Sequence, residues 1–280
     1  MFTNFSNKFN PVALAATSLL IAPLVAPASA RAAGDLLVAP TRIILDGRRG
    51  TEIILNNIGS EEATYRISLE LRRMSKIGRL VEVSPDDVTA KEIAVKKIIR
   101  YAPRRVTLPP NQPQSIRIGL TRMQDLPDGE YRAHMLFRAI PKAASVTETR
   151  DVGNGVQIQL IPVYGVTIPI IIRKGKLEAQ AALANPRVQN DEDGVALKLD
   201  LSRQGNRSVF GEIRVTKPGL STPVIIARGI AIYPELDSRT VTLPINEEVA
   251  SQLKGPITVG YYEAAEAGGA LIAEVKTVLN

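Results

Sequence analysis

The sequence of 280 residues predicts an all-β protein made of two β-sandwich domains. The first reason is a succession of short runs rich in Ile, Val, Leu, Tyr and Thr. Clusters of Gly, Pro, Asn or Asp separate these runs, a spacing typical of sandwiches. The second reason is a change in composition after Arg173-Lys174-Gly175, where a second set of runs begins. A linker this short favours a fixed angle and a cleft between the domains.

The first thirty residues contain the three regions of a secretory signal peptide, in the order that such a signal requires. Lys8 carries the positive charge, Pro11–Val25 is almost wholly apolar, and Ala28-Ser29-Ala30 supplies the small-residue cleavage pattern. The apolar run contains Pro23 and is short for a membrane span, which leaves an uncleaved anchor as the alternative. We therefore predict that residues 1–30 are removed and that the mature protein is exported without stable membrane insertion.

The first domain, residues 34–172, begins with strands that turn residues such as Asp46-Gly47 and Asn56-Asn57 delimit. The predicted strands are Val38–Leu45, Thr51–Leu55, Thr64–Leu71 and Ser115–Leu120. Only Asp86–Lys97 has a helical pattern, and we expect one or two turns there. The pattern of Tyr131–Arg138 predicts a strand with one core face and one cationic face. The core face comprises Tyr131, Ala133, Met135 and Phe137. His134 lies on the cationic face, and we expect it to be exposed.

The run Val156–Ile172 is much longer than a strand of the usual five or six residues. In its first half, an apolar ladder of Val156, Ile158, Leu160 and Pro162 alternates with Gln157 and Gln159. Its second half is apolar on both faces, and we expect it to be ordinary buried sandwich core. Its prolines favour an edge strand. A long apolar edge invites pairing with another chain by β-augmentation. The alternative is a buried strand that crosses from one domain to the next.

The second domain, residues 176–280, consists of six further predicted strands, and Ala264–Gly269 fits a hairpin loop between the last two. The predicted strands are Gly194–Leu201, Val209–Thr216, Pro223–Ile232, Arg239–Ile245, Ile257–Glu263 and Leu271–Leu279.

Composition excludes several classes of function. The chain has no Cys and one His, so thiolate zinc sites, iron–sulfur clusters and the usual nucleophile–base pairs cannot be assembled. It contains no phosphate-binding loop and no dinucleotide fingerprint. The net charge of +7 comes from scattered Lys and Arg, and aromatic residues are only 4% of the chain, so nucleic-acid binding is poorly supported. We expect no enzymatic activity, no metal and no cofactor.

Three stretches, together with the alternating strand after them, carry a resemblance to a known family: Val38–Gly47, Val106–Ile118 and Leu126–Pro141. In this order, and behind a signal peptide, they resemble a divergent branch of the periplasmic pilus-assembly chaperones of chaperone–usher systems (PapD-like). The resemblance covers the first domain and is loose in the second. It implies two immunoglobulin-like β-sandwich domains in a boomerang arrangement, with an interdomain cleft.

The resemblance also implies a mechanism and partners. A pilus or fimbrial subunit lacks the last strand of its fold. The chaperone lends its own long strand in the periplasm and delivers the subunit to an outer-membrane usher. The matching donor side chains are Val156, Ile158 and Leu160, with Pro162 next in the row.

The family also holds the subunit's terminal carboxylate with two basic residues. Arg42 matches the first, and a solvent-facing arginine is its alternative reading. The second is missing from the odd positions Gly165, Thr167 and Pro169.

A second function remains open from the sequence. A secreted structural or adhesion protein of a surface fibre, with tandem immunoglobulin-like domains, would use the long strand within its own fold.

Overall fold

The computed structural model describes residues 36–121, 123–124, 126–141, 163–192 and 194–280. The predicted signal peptide and the four ladder residues Val156, Ile158, Leu160 and Pro162 lie outside these ranges. Residues 33–280 form one compact unit. The described part is almost entirely β-strand, and this confirms the predicted fold class.

The first sandwich contains two facing sheets. One sheet has the strand order β1-β3-β9-β7, built from β1 (Leu36–Ala39), β3 (Thr51–Asn57), β9 (Pro113–Leu120) and β7 (Ile99–Ala102). The other has the order β2-β11-β10-β4-β8, built from β2 (Ile43–Leu45), β11 (Gly165–Lys174), β10 (Gly129–Ile140), β4 (Ala63–Glu70) and β8 (Arg105–Leu108). The four-stranded sheet faces the strands β11, β10 and β4 at the centre of the five-stranded sheet. Four strands packed against three are the immunoglobulin arrangement.

The first predicted strand is divided in two. β1 pairs antiparallel with β3, whereas β2 pairs parallel with β11 in the opposite sheet. The chain changes sheets at Pro40-Thr41-Arg42, because proline has no N–H with which to continue a ladder. This crossing places Arg42 at the start of β2.

Between β4 and β7 the chain forms a hairpin and a helix. The hairpin consists of β5 (Arg72–Met74) and β6 (Leu80–Glu82). The helix α1 (Ala90–Ile98) is longer than the one or two turns expected. It begins with a capping box, in which Thr89 and Glu92 satisfy each other's backbone N–H groups.

The core of the first sandwich includes the predicted face of β10. Tyr131, Ala133, Met135 and Phe137 are all buried, which confirms the alternation predicted from the sequence. The Tyr131 hydroxyl donates to the Pro127 carbonyl oxygen at 2.6 Å, the tyrosine-corner contact of immunoglobulin-like sandwiches.

The second sandwich repeats the arrangement with fewer strands. One sheet has the order β12-β13-β16, built from β12 (Ala179–Asp191), β13 (Gly194–Gly205) and β16 (Ser238–Pro244). The facing sheet has the order β15-β14-β17-β18, built from β15 (Ile225–Ile232), β14 (Val209–Thr216), β17 (Gly255–Glu263) and β18 (Leu271–Leu279). A short helix, α2 (Glu247–Gln252), lies between β16 and β17. Among the described residues, no helix has the length and apolar character needed to cross a membrane.

Candidate functional site

The strand β11 is an edge over only part of its length. Ile170–Ile172 pairs with β10 on one side and with β2 on the other. Gly165–Pro169 pairs with β10 alone among the described residues. The expectation of an edge along the whole run is therefore wrong for its last residues. The free edge of β11, which we define as Gly165–Pro169, follows directly after the segment that contains the apolar ladder.

The two apolar faces of β11 serve different cores. Ile168, Ile170 and Ile172 are buried in the first sandwich. Ile171 instead packs in a separate cluster with Met74, Ala231 and Tyr233, two of which come from the second sandwich. The sequence interpretation assigned both faces to one sandwich core, and this is wrong for Ile171. Its face is apolar because it forms the junction between the sandwiches.

The hairpin β5–β6 reinforces this junction. The Lys76 carbonyl oxygen at its tip accepts a hydrogen bond from the Thr240 N–H on β16 at 3.0 Å. The Met74 N–H donates to the Glu235 carboxylate at 2.9 Å. These contacts hold the two sandwiches together on the side of the sheet that carries Arg42.

Two arginines at the junction, Arg132 and Arg173, have carboxylate partners. Arg132 donates to both oxygens of Glu235, at 2.5 and 3.2 Å, and its guanidinium lies 3.6 Å from the ring centroid of Tyr233. Arg173 donates to Glu130 at 3.0 Å, and the same Glu130 oxygen accepts from the Ser208 hydroxyl at 2.9 Å. In each pair one partner is almost completely buried, Arg132 in the first and Glu130 in the second, while the other is partly exposed.

Arg42 is a third arginine at the junction, and its partners are neutral. Its guanidinium donates to the Tyr233 hydroxyl and to the Ser208 hydroxyl, each at 3.2 Å. It lies 4.3 Å from the ring centroid of Phe210. Among the described residues no carboxylate oxygen lies within salt-bridge distance of Arg42. Burial lowers its pKa from the ordinary value, but an arginine side chain stays charged in proteins.

Arg42 is therefore a partly buried cation with no anion beside it among the described residues. A desolvated charge is costly unless it is paired, so a carboxylate that reached this guanidinium would bind favourably. The reading of Arg42 as a solvent-facing arginine is wrong, because its charged end lies between the two sandwiches.

His134 also differs from expectation. It was predicted to be exposed, but it is fully buried, and neither ring nitrogen has a hydrogen-bond partner. On the neighbouring strands it lies beside Glu70 and Pro169. The Thr167 hydroxyl donates to Glu70 at 3.1 Å across β10, and this bond covers His134. Burial, together with the positive charges of Arg132, Arg72 and Arg42, lowers the pKa of His134 to about 3.

The missing second basic residue has no simple substitute. Pro169 occupies one of the positions where it was sought, and its register partner is His134, which stays neutral. Arg173 lies near Arg42 and donates to the same Ser208 hydroxyl, at 3.5 Å, but Glu130 already neutralises it.

Arg239, which packs against Gly78 of the hairpin, also has no carboxylate partner among the described residues, but it is buried and donates to the Ala231 carbonyl oxygen. Arg42 is only partly buried, so it is the more accessible of the two.

Sequence reasoning found Arg42 but missed the residues that hold it. Ser208, Phe210 and Tyr233 come from the second sandwich, more than 160 positions along the chain. One sequence signal for the Glu130–Arg173 pair exists: Glu130 immediately precedes the predicted strand Tyr131–Arg138, and Arg173 immediately follows the predicted run Val156–Ile172. The structure pairs these two strands and makes the two residues register partners. Among the described residues, no cluster of His, Asp or Glu could hold a metal ion.

Comparisons with known proteins give matches to solved structures only. No family model matches the sequence, and no curated protein matches it. The chain is similar to the Escherichia coli chaperone DraB, with 14% identity, 88% of this chain and 96% of that chain covered, and a TM-score of 0.43. It is similar to the Pseudomonas aeruginosa chaperone CupB2, with 11% identity, 87% and 100% covered, and a TM-score of 0.43.

A third similar structure is a chain of the CsuC–CsuE chaperone–tip adhesion subunit pre-assembly complex from archaic chaperone–usher Csu pili of Acinetobacter baumannii. It is 14% identical, with 88% of this chain and 98% of that chain covered and a TM-score of 0.42. At these identities and TM-scores, function has to be inferred from the chain's own residues.

Proposed function

We propose that this protein is a periplasmic chaperone that binds and caps pilus subunits by donor-strand complementation and delivers them to an outer-membrane usher. The proposal draws on the order of the motifs behind a predicted signal peptide and on the free edge of β11. It also draws on the absence of a carboxylate partner for Arg42 among the described residues. It assigns the protein a binding function and no catalysis.

The donor side chains would be Val156, Ile158, Leu160 and Pro162, immediately before the free edge of β11. A partner strand that pairs with this edge extends the sheet, and alternate apolar side chains enter the groove of the incomplete subunit. Each such side chain contributes about 1.5–3 kcal/mol when it is buried, so a row of them can hold an unstable subunit.

The partly buried Arg42 guanidinium, which has no carboxylate partner among the described residues, is the observation that carries the proposal. A chain terminus that enters the junction presents two carboxylate oxygens, which match the geometry of a guanidinium. The neutral hydroxyl groups of Ser208 and Tyr233 hold Arg42 in place without neutralising it. A pilus subunit would thus be held at its terminal carboxylate by Arg42 and along its groove by the donor strand.

The first test uses Arg42→Ala and Arg42→Lys, each co-expressed in the periplasm with a pilus subunit from the same genome. We expect Arg42→Ala to abolish recovery of the soluble complex and Arg42→Lys to retain part of it, because lysine cannot form the bidentate pair. A subunit with an amidated or extended C-terminus should lose its dependence on Arg42. The matched control is Arg48→Ala, since Arg48 is highly exposed and, of the residues described, pairs with Asp46 alone. Normal capture by Arg42→Ala would show that the carboxylate is held elsewhere.

The second test concerns the ladder. Replacing Ile158 and Leu160 by Asp should destroy subunit capture and leave the melting temperature of the free chaperone nearly unchanged, because a carboxylate cannot be buried unpaired in an apolar groove. Replacing Gln157 and Gln159 by Ser is the matched control and should be nearly silent. A large drop in melting temperature for Ile158→Asp would instead show that the ladder is packed in the protein's own core. That result would favour the alternative function of a structural or adhesion protein.

A further inference from the structure

Three arginines lie directly opposite one another on neighbouring strands of the first sandwich. Arg138 of β10 is the register partner of Arg66 of β4, and Arg66 is the register partner of Arg105 of β8. We call these residues the arginine row. Directly opposed side chains in an antiparallel sheet have Cβ atoms about 4.5–5.5 Å apart, so the row places three positive charges along a line of about 10 Å.

All three side chains are exposed, and no described carboxylate lies within salt-bridge distance of them. Like charges directly opposite each other in a sheet destabilise it. Two register positions along β4 and β8, on the same face of the sheet, Thr64 and Thr107 form an ordinary hydrogen-bonded pair at 2.9 Å. The arginine row thus lowers the stability of the sheet by charge repulsion, and the fold itself does not require these charges.

The arginine row lies beside the free edge of β11. The register partner of Arg138 on β11 is Gly165, the first residue of that edge. The two residues before it, Val163 and Tyr164, are large, apolar or aromatic, and roughly half exposed. Within the described part of the chain, an unpaired strand edge, exposed apolar side chains and unneutralised positive charge therefore meet at one end of β10.

We propose that the arginine row binds an acidic surface of the same subunit that pairs with the free edge of β11. This inference rests on the proposed function and adds a specificity determinant to it, namely a requirement for negative charge on the partner.

The layering of sandwiches explains why the partner reaches the row. A partner sandwich that adds a strand to β11 carries a second sheet about 10 Å from the first. The inward face of β10 and β4 is already covered by the sheet β1-β3-β9-β7. The proposal places the partner's second layer on the outward side, where Arg138 and Arg66 are exposed. Acidic side chains there would relieve the repulsion within the row and select the partner by charge.

The probe for this proposal is an octaglutamate peptide with an acetylated N-terminus and an amidated C-terminus, which offers Arg42 no terminal carboxylate. Binding to the mature protein is followed by fluorescence anisotropy at low and at physiological salt. We expect Arg66→Glu/Arg138→Glu to weaken binding by about tenfold at low salt, with a smaller difference at physiological salt because exposed charges are screened.

The matched control is Arg49→Glu/Lys96→Glu, which makes the same change in net charge at two exposed residues away from the row. We expect the control to change affinity by no more than about twofold. Equal losses in the two double variants would overturn the proposal in favour of a general charge effect, as would failure of the wild-type protein to bind. Melting curves of both double variants establish that they are folded.

Two further probes test other occupants of the row. The probes are vesicles of phosphatidylglycerol and phosphatidylcholine, and a single-stranded DNA oligonucleotide. The proposal would be overturned if either probe bound more tightly than octaglutamate and if its binding were lost in the Arg66→Glu/Arg138→Glu variant. The Arg42→Ala variant should bind octaglutamate normally. If the row variants bind the peptide normally while Arg42→Ala loses the subunit, the inference fails and the proposed chaperone function stands.

Discussion

The two faces of β10 have opposite compositions, yet both contain buried residues. The inward face is apolar and completely enclosed between the two sheets of the first sandwich. The outward face carries Glu130, Arg132, His134, Leu136 and Arg138, and of these only Arg138, the last, is exposed. Glu130 and His134 are buried, whereas Arg138 is exposed. Alternation thus determines which residues share a face, but it does not determine whether that face meets water.

The difference along the outward face comes from what covers it. At its start, the second sandwich contributes Ser208, Tyr233 and Glu235, which hold Glu130 and Arg132. At its end no described residue neutralises the charge, and the arginine row begins. The same face is therefore a structural junction at one end and a candidate binding surface at the other.

The largest effect is expected on the inward face. Phe137 is fully buried in the first core, so Phe137→Ala removes apolar contacts and leaves a cavity. We expect a loss of about 3–5 kcal/mol in the free energy of unfolding, measured by urea denaturation of the mature protein.

Arg138→Ala is the matched control one residue further along the strand. It should change stability by less than about 0.5 kcal/mol, or increase it slightly, because it removes a charge that opposes Arg66. Similar losses for the two variants would contradict the division between the faces.

A smaller, pH-dependent effect is expected at His134. An unfolded histidine binds a proton near pH 6.5, whereas the folded pKa is about 3. Between these values the unfolded state binds more protons, so stability falls as pH decreases through this window. At pH 5 the contribution is about 2 kcal/mol relative to pH 7. The charged groups around His134 are Glu70, Arg72, Arg132 and Arg42.

The variant His134→Leu removes this titration. Near pH 7 it should be about as stable as the wild type, because the buried imidazole nitrogens have no partners to lose. At pH 5 it should be the more stable of the two. Arg138→Leu, exposed on the same face, is the control and should show no such change between the two pH values. An equal pH dependence of His134→Leu and wild type would show that His134 is not buried in a neutral form.

Most strands could be predicted because apolar residues and turn residues alternate clearly along the chain. Val209–Thr216 and Leu271–Leu279 have the predicted bounds. β12 was missed, since it is rich in Ala, which has a low strand propensity, and contains Pro186. The sheet accommodates this proline with a register shift between Ala184 and Arg187, on an edge strand where a missing donor is tolerated.

The candidate site could be predicted only in part. The Thr-Arg pattern of the first strand identified Arg42, but a sequence pattern does not contain the distant residues that surround a side chain. The expected exposure of His134 was wrong for the same reason, because the Glu70 and Thr167 side chains that enclose it come from strands on either side of β10.

The sequence by itself determined the fold class, the inward face of β10 and the apolar character of both faces of β11. Strand periodicity and turn residues act over a few neighbouring positions, and these are visible in the chain. Only the tertiary structure decided that Ile171 belongs to the junction, that Glu130 and Glu235 neutralise Arg173 and Arg132, and that Arg42 has no such partner. Charge pairing and burial depend on which distant segments meet, and that is fixed when the two sandwiches pack together.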